Sequence, residues 1–219
     1  MESRGKPLTL KISEIFYSLQ GEATRVGLPT VFVRLTGCPL RCAWCDTSHA
    51  FAGGRRMTLS DIMASVAAFG ARQVCVTGGE PLAQKNCLPL LKALCDAGFD
   101  VSLETSGALD VSTVDPRVSR IVDLKPPSSG ESEKNYWPNI DVLTSRDEIK
   151  FVLANREDYE WARQSIDERR LAERCPVLVS PVQATLAPQE LAEWVLADRL
   201  PVRFQVQLHK LLWGNMQGK

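Results

Sequence analysis

Short apolar runs with alternating character are separated along this chain by polar, glycine-rich clusters. Pro29 to Leu35 (Pro-Thr-Val-Phe-Val-Arg-Leu) is β-branched and aromatic and predicts a strand. Further strands are predicted at Gln73 to Val76, Asp100 to Glu104, Arg120 to Leu124, Glu148 to Leu153, Val177 to Val179 and Arg203 to Leu208. Leu10 to Tyr17 is a short apolar segment that runs on to Leu19-Gln20-Gly21-Glu22. Between the strands the period changes. Thr58 to Phe69 spaces Ile62, Met63, Val66 and Ala67 as a helix does, after a Thr-Leu-Ser-Asp start. Leu88 to Ala97 predicts a second helix, closed by Gly98 in the position of a C-cap glycine. Arg156 to Glu173 and Pro188 to Ala197 predict two more. Residues 1–8 read as a loose leader, and 128–146 lack periodicity, as a loop excursion would. Strand–helix–strand alternation implies right-handed crossovers and a mostly parallel sheet. About six strands are too few for a closed eight-stranded barrel, so the expected fold is α/β, a single-domain partial parallel β/α barrel. The polar clusters follow the strands, where sites lie in parallel α/β folds.

Composition narrows the class. Across 219 residues, 44% hydrophobic and 24% charged is the balance of a globular domain, not of a disordered or collagenous chain. Lys plus Arg and Asp plus Glu are both 26, which removes the electrostatic footprint of a general nucleic-acid binder. No apolar run approaches the roughly 18–20 residues that span a bilayer, and no apolar stretch follows the first residues as in a signal peptide. A cytoplasmic protein is expected. Seven cysteines, an odd number, argue against a disulfide scaffold and toward metal or cluster ligation.

The strongest chemical signal is Cys38-Pro-Leu-Arg-Cys42-Ala-Trp-Cys45, three thiolates within a C-x3-C-x2-C run. Structural zinc takes four protein ligands, and cluster sites usually have four cysteines. Three cysteines on a 4Fe-4S cluster leave one iron open to a ligand that is not protein. The competing arrangement is zinc with a distant fourth ligand at Cys75, Cys87 or His49. Cys75, Cys87, Cys95 and Cys175 otherwise read as core thiols.

The cysteine run, with Trp44 before its last member, resembles the radical S-adenosylmethionine superfamily, as does Gly78-Gly79-Glu80-Pro81 after the next strand. Phe16-Tyr17-Ser18-Leu19-Gln20-Gly21-Glu22, Gly37-Cys38-Pro39, Trp44-Cys45-Asp46-Thr47, Glu104-Thr105-Ser106-Gly107 and Gln207-Leu208-His209-Lys210 resemble the 7-carboxy-7-deazaguanine synthase family. This resemblance implies a lyase of queuosine-precursor biosynthesis. It would contract 6-carboxy-5,6,7,8-tetrahydropterin to 7-carboxy-7-deazaguanine with loss of ammonia. Cys38, Cys42 and Cys45 would hold the cluster, and S-adenosylmethionine would chelate the open iron and be regenerated each cycle. Gly79, Glu80, Asp123, Lys125 and Ser180 would contact that cofactor, although Asp-Leu-Lys at 123–125 departs from the family's frequent Ser-Pro-Lys. Leu19, Gln20, Gly21, Glu22, Arg34, Thr77, Glu104 and His209 would hold the substrate, and Thr47 a Mg²⁺ ion. No residue is assigned as acid or base. On residue type alone, Thr47 reads first as a turn or helix N-cap residue, and Arg34 reads first as a fork for a carboxylate, with a surface ion pair as the alternative. A flavodoxin or ferredoxin-type reductant and a homodimer are implied as partners, with no nucleic acid and no membrane. A glycyl-radical activating enzyme shares the cysteine run and is the alternative enzyme. A metal- or cluster-binding module without catalysis is the alternative of another class.

Overall fold

A computed structural model describes residues 7–214 and 216–218; most of the expected leader, residues 1–6, lies outside them. The chain forms strands β1 (Thr9–Leu19), β2 (Pro29–Leu35) and β3 (Arg55–Thr58), then helix α1 (Leu59–Ala67), β4 (Gln73–Gly78), α2 (Cys87–Asp96), β5 (Asp100–Thr105) and β6 (Ser119–Leu124). The one-turn helix α3 (Asn139–Val142) precedes β7 (Glu148–Leu153), α4 (Arg156–Glu168), β8 (Val177–Pro181), α5 (Pro188–Ala197), β9 (Arg203–Phe204) and α6 (Leu208–Trp213). One sheet runs in the order β3-β1-β2-β4-β5-β6-β7-β8-β9 and does not close. The expected parallel frame of six strands is β2 and β4 to β8, with β9 parallel at one edge and β1 and β3 antiparallel at the other.

Side chains alternate with the period of two that strands impose. Val31, Val33, Leu35, Val74, Val76, Val101, Leu103, Val122, Leu124, Phe151, Leu153, Val177 and Val179 all join the core beneath the helices. Ile62 and Val66 of α1, Leu90, Leu91 and Leu94 of α2, and Tyr159, Ala162 and Ile166 of α4 meet them there. The other face is polar. Phe32, Arg34, Thr77, Glu104, Ile121, Asp123, Lys150 and Val152 line a cavity inside the curved sheet.

Helix ends follow their local signals. Thr58 caps α1 in a reciprocal capping box with Asp61. Gly98 (φ 86°) ends α2, its N–H donating to the Cys95 carbonyl. Two expectations are corrected. The helix expected over 156–173 stops at Glu168, because Arg170 takes a left-handed conformation that turns the chain to bury Leu171. The strand expected over 203–208 holds only Arg203–Phe204; by Leu208, whose N–H donates to the Gly21 carbonyl, the chain has left the sheet and starts α6. β3 was not expected, since Arg-Arg-Met-Thr has no apolar alternation; its partner is the start of β1. Between β6 and β7 the chain makes 3-10 turns at Pro127–Ser129 and Ser132–Lys134 before α3. These turns touch the cysteine loop: the Ser129 carbonyl accepts from Ala43, and the Glu131 carboxylate from the Arg41 N–H. Among the described residues no helix is long and apolar enough to cross a membrane.

Candidate active site

The cysteine loop leaves β2 at its carboxyl end. Gly37 (φ 101°) makes the turn that a side chain resists, and its N–H donates to the Ala50 carbonyl. Arg41 donates to the Cys38 and Leu40 carbonyls and lies over the Phe51 ring, 4.3 Å from its centre, which pins the loop's shape. Cys38, Cys42 and Cys45 all face the cavity, and none is in a disulfide. The end of β4 packs directly on this loop. A Cβ at Gly79 would stand 2.4 Å from the Gly37 carbonyl and 2.6 Å from the Cys38 Cβ, so only glycine fits. The Glu80 N–H donates to that same carbonyl.

Glu80 was expected to contact the cofactor. Its side chain does not line the cavity. It is fully buried and accepts from the Leu82 N–H (2.9 Å), the Thr105 hydroxyl (2.8 Å) and both the N–H and hydroxyl of Ser106 (2.7 and 2.5 Å). The carboxylate therefore clamps the β4 loop to the β5 loop, and the Gly78-Gly79 backbone is what faces the cavity. Ser180 also stands back from it: its hydroxyl is buried on the inner face of the sheet, without a partner among the described residues, and does not reach the wall.

The remaining expected residues converge. The cavity, about 220 Å³, is lined by Leu19, Gln20, Gly21, Glu22, Arg34, Thr47, Thr77, Gly79, Glu104, Asp123, Lys125 and His209. Arg34 spends its Nε on Glu14 (2.7 Å), and neither terminal nitrogen has a protein hydrogen bond among the described residues. Glu104 accepts from the Gln20 amide (3.1 Å) and the Thr77 hydroxyl (3.0 Å). Thr47 precedes the Ser48–Phe51 turn, but its hydroxyl makes no capping bond; it lies 3.8 Å from the Cys45 sulfur. His209 sits over Gly21, where an added Cβ would meet its Nδ1 at 2.1 Å. His49 turns to Glu14, at 3.6 Å.

Lys150 was not singled out from sequence, and Gln207 and Asp46 entered only as members of the resemblance motifs, with no role given. Lys150 is buried at the centre of β7, paired with Glu22 and, at 3.3 Å, with Asp123. Its signal was present: in Glu-Ile-Lys-Phe-Val-Leu the two charges share one face of a strand whose other face is apolar. Gln207 donates to Glu22 (2.5 Å) and reaches Asp46 (3.5 Å), which also pairs with Lys210 (3.1 Å). Burial pushes the Glu22 carboxyl up, but Lys150 and Gln207 outweigh it and bring it down to about 2. Burial works against the Lys150 ammonium, but Glu22 and Asp123 raise it well above the ordinary lysine value. The pair is ionised. Asp123 also meets Lys125 at 3.1 Å, while among the described residues its buried Oδ1 has no hydrogen-bond partner.

The donor chemistry fits the implied cofactors. Among the described residues no three His, Cys, Asp or Glu side chains gather as a single metal ion requires. Asp123, Lys125 and the bare Gly78-Gly79 backbone line the cavity beside the cysteines and offer polar groups to a ligand there. A parallel open barrel with three cysteines at its carboxyl face defines a radical S-adenosylmethionine protein, and the Radical SAM superfamily matches residues 32–172. The chain is 49% identical over 208 residues to the 7-carboxy-7-deazaguanine synthase of Chlorobaculum tepidum, covering 94% of each chain. It is 42% identical over 219 residues to that of Koribacter versatilis, covering 93% of this chain and 97% of the relative. The crystal structure of QueE from Escherichia coli superposes with a TM-score of 0.72 at 27% identity, over 92% of this chain and 95% of that one. The chain belongs to the 7-carboxy-7-deazaguanine synthase family of radical S-adenosylmethionine enzymes.

Proposed function

We propose that this enzyme contracts the ring of 6-carboxy-5,6,7,8-tetrahydropterin to give 7-carboxy-7-deazaguanine and ammonia, a step toward queuosine. The observation that carries the reading is one cavity with three cysteines at its mouth and, below them, a wall of Arg34, Glu104, Glu22, Gln20 and His209. The conversion is redox-neutral, since the pterin equals the product plus ammonia. That suits a cofactor returned unchanged.

Cys38, Cys42 and Cys45 would hold the 4Fe-4S cluster, and the Gly78-Gly79 backbone, Asp123 and Lys125 would receive S-adenosylmethionine. When bound, these groups supply the one-electron and hydrogen-transfer chemistry. The chain's own task is to bind, orient and shield. The free terminal nitrogens of Arg34 suit the substrate carboxylate. Glu104 and Glu22 offer acceptors to the ring N–H groups, and Gln20 and Thr77 fix Glu104 in place. Thr47, with no capping duty, would give one oxygen to Mg²⁺, the rest coming from substrate and water. Ser180 joins the cofactor side only if a ligand reaches behind the present wall. A one-electron protein donor of flavodoxin or ferredoxin type, a homodimer and a cytoplasmic setting complete the proposal.

The glycyl-radical activating alternative has less support. Its substrate is a protein segment, whereas this cavity is floored by the 20–28 loop and closed at the side by α6. Anaerobic turnover of the reconstituted enzyme with the pterin, followed by mass detection of product, tests the reading. Product should form with less than one deoxyadenosine released per turnover, and chelation of divalent cations should slow it. No product from the pterin would refute the function; turnover indifferent to chelation would remove the metal and return Thr47 to a turn.

A further inference from the structure

We propose that Lys150 is a positioning residue that couples the two halves of the cavity, so that the pterin and S-adenosylmethionine tighten each other's binding; this rests on the ring-contraction reading. The alternation of β7 puts Lys150 on the inner face between Glu148 and Val152. Its ammonium bonds the Glu22 carboxylate on one side and Asp123 Oδ2, at 3.3 Å, on the other. Glu22 belongs to the floor loop on the pterin side. Asp123 lines the cavity at the carboxyl end of β6, on the cofactor side, and among the described residues its buried Oδ1 has no partner. Among the described residues no other cation joins both: Lys125 reaches Asp123 alone, and the second partner of Glu22 is the neutral Gln207.

A shared ammonium fixes the spacing of two carboxylates that come from different elements. A ligand that packs against Asp123 where it lines the cavity holds that carboxylate still. Lys150 is then held, and Glu22 with it. The ordering cost is met once, and the second ligand finds its contact already placed. Such coupling is reciprocal: whatever factor one ligand gains, the other gains too. It also bears on chemistry, because hydrogen transfer needs the reacting atoms within about 3–3.5 Å. A buried ion pair with a merely structural role would change stability and both affinities without touching the coupling.

The test uses reconstituted, unreduced holoenzyme, so that no turnover occurs. The dissociation constant of S-adenosylmethionine is measured by equilibrium dialysis with and without saturating pterin. In the wild type the pterin should tighten it about fivefold or more. Lys150→Met should bring that ratio close to one, and Lys150→Arg should retain most of it. Should Lys150→Met fail to fold, Lys150→Met/Glu22→Gln leaves no carboxylate without a partner and is compared with Glu22→Gln alone. In reduced enzyme, the ratio of deoxyadenosine released to product formed should rise about tenfold or more in the Lys150 variants; a stability defect alone lowers both together. A wild-type ratio of one, or an unchanged ratio in the variants, overturns the proposal. If wild-type enzyme makes no product from the pterin, the reading of the reaction falls; if it does and the variants keep their coupling, only the role of Lys150 falls.

Discussion

Replacing Glu80 by Gln separates two roles for a residue in the Gly-Gly-Glu-Pro run. If the carboxylate holds the cofactor, the variant should fold normally and bind it poorly. The structure makes it a clamp: both oxygens are buried, and four donors from Leu82, Thr105 and Ser106 converge on them. An amide turns one acceptor into a donor. Placed toward Leu82, the new N–H₂ faces an N–H at 2.9 Å; placed toward Ser106, it faces three donors. The better orientation leaves one buried N–H unsatisfied, which costs about 1–3 kcal/mol, and weakens three charge-assisted bonds worth about 1.5–3 kcal/mol each when charged. A net loss of about 3 kcal/mol is reasonable. At about 2–4 °C per kcal/mol for a chain of this size, the midpoint of thermal unfolding should fall by about 6–12 °C. The cluster-free protein, scanned anaerobically by circular dichroism, gives the value without cofactor present. A midpoint within 1 °C of wild type, together with weakened S-adenosylmethionine binding by the holoenzyme, would refute the clamp and restore the contact role.

Replacing Cys38, Cys42 or Cys45 by Ala should abolish cluster assembly, read as loss of the visible iron–sulfur absorption, while Cys75→Ala and Cys175→Ala should still reconstitute; a fourth essential cysteine would defeat the three-ligand arrangement. Gly21→Ala puts a methyl 2.1 Å from His209 Nδ1, so the imidazole must move. KM for the pterin should rise about tenfold, with S-adenosylmethionine affinity unchanged; an unaltered KM would show that His209 does not touch the substrate. Glu22 is held to about 2 in the folded protein, against an ordinary 4.5. Its contribution is therefore present above the unfolded value and lost as pH falls through that window. Denaturant unfolding at pH 6 and pH 3 should show a smaller loss on acidification in Glu22→Gln than in wild type; equal losses would mean that the Glu22–Lys150 pair does not report on acid stability.

The strands were legible because their outer face is uniformly Val, Leu and Phe against the helices, and because each ends in a polar cluster. β2, β7 and α5 begin and end where the pattern places them. The Arg-Arg-Met-Thr of β3 was not legible, because its place comes from pairing with β1 rather than from any alternation. The break after Glu168 depends on one left-handed residue, Arg170, which no local propensity announces. In the site, the cysteine spacing was legible since three ligands lie on one loop. The direction of Glu80 was not, because its partners Thr105 and Ser106 lie 25 and 26 residues away. Lys150 was hidden for a similar reason: Glu22 is 128 residues distant, and a lysine in a strand becomes informative only once both faces are known to be covered.

How an open sheet makes an enclosed cavity follows from the same polar contacts. The 20–28 loop crosses the amino ends of the parallel strands, where Arg25 bonds Gln73 of β4, Asp100 of β5 and Ser119 of β6. Thr24 donates to Glu148 of β7 through both its N–H and its hydroxyl. One loop thus ties four strands and floors the lumen through hydrogen-bonded polar groups. At the open side, α6 closes what further strands would close in a full barrel. Its first N–H bonds the Gly21 carbonyl, Gln207 reaches Glu22, and Lys210 reaches Asp46 in the cysteine loop. The floor, the side and the cysteine loop are therefore joined by one short segment. The connections that complete the barrel thus also set the floor and one side of the cavity, with polar groups that suit a bicyclic ring bearing a carboxylate.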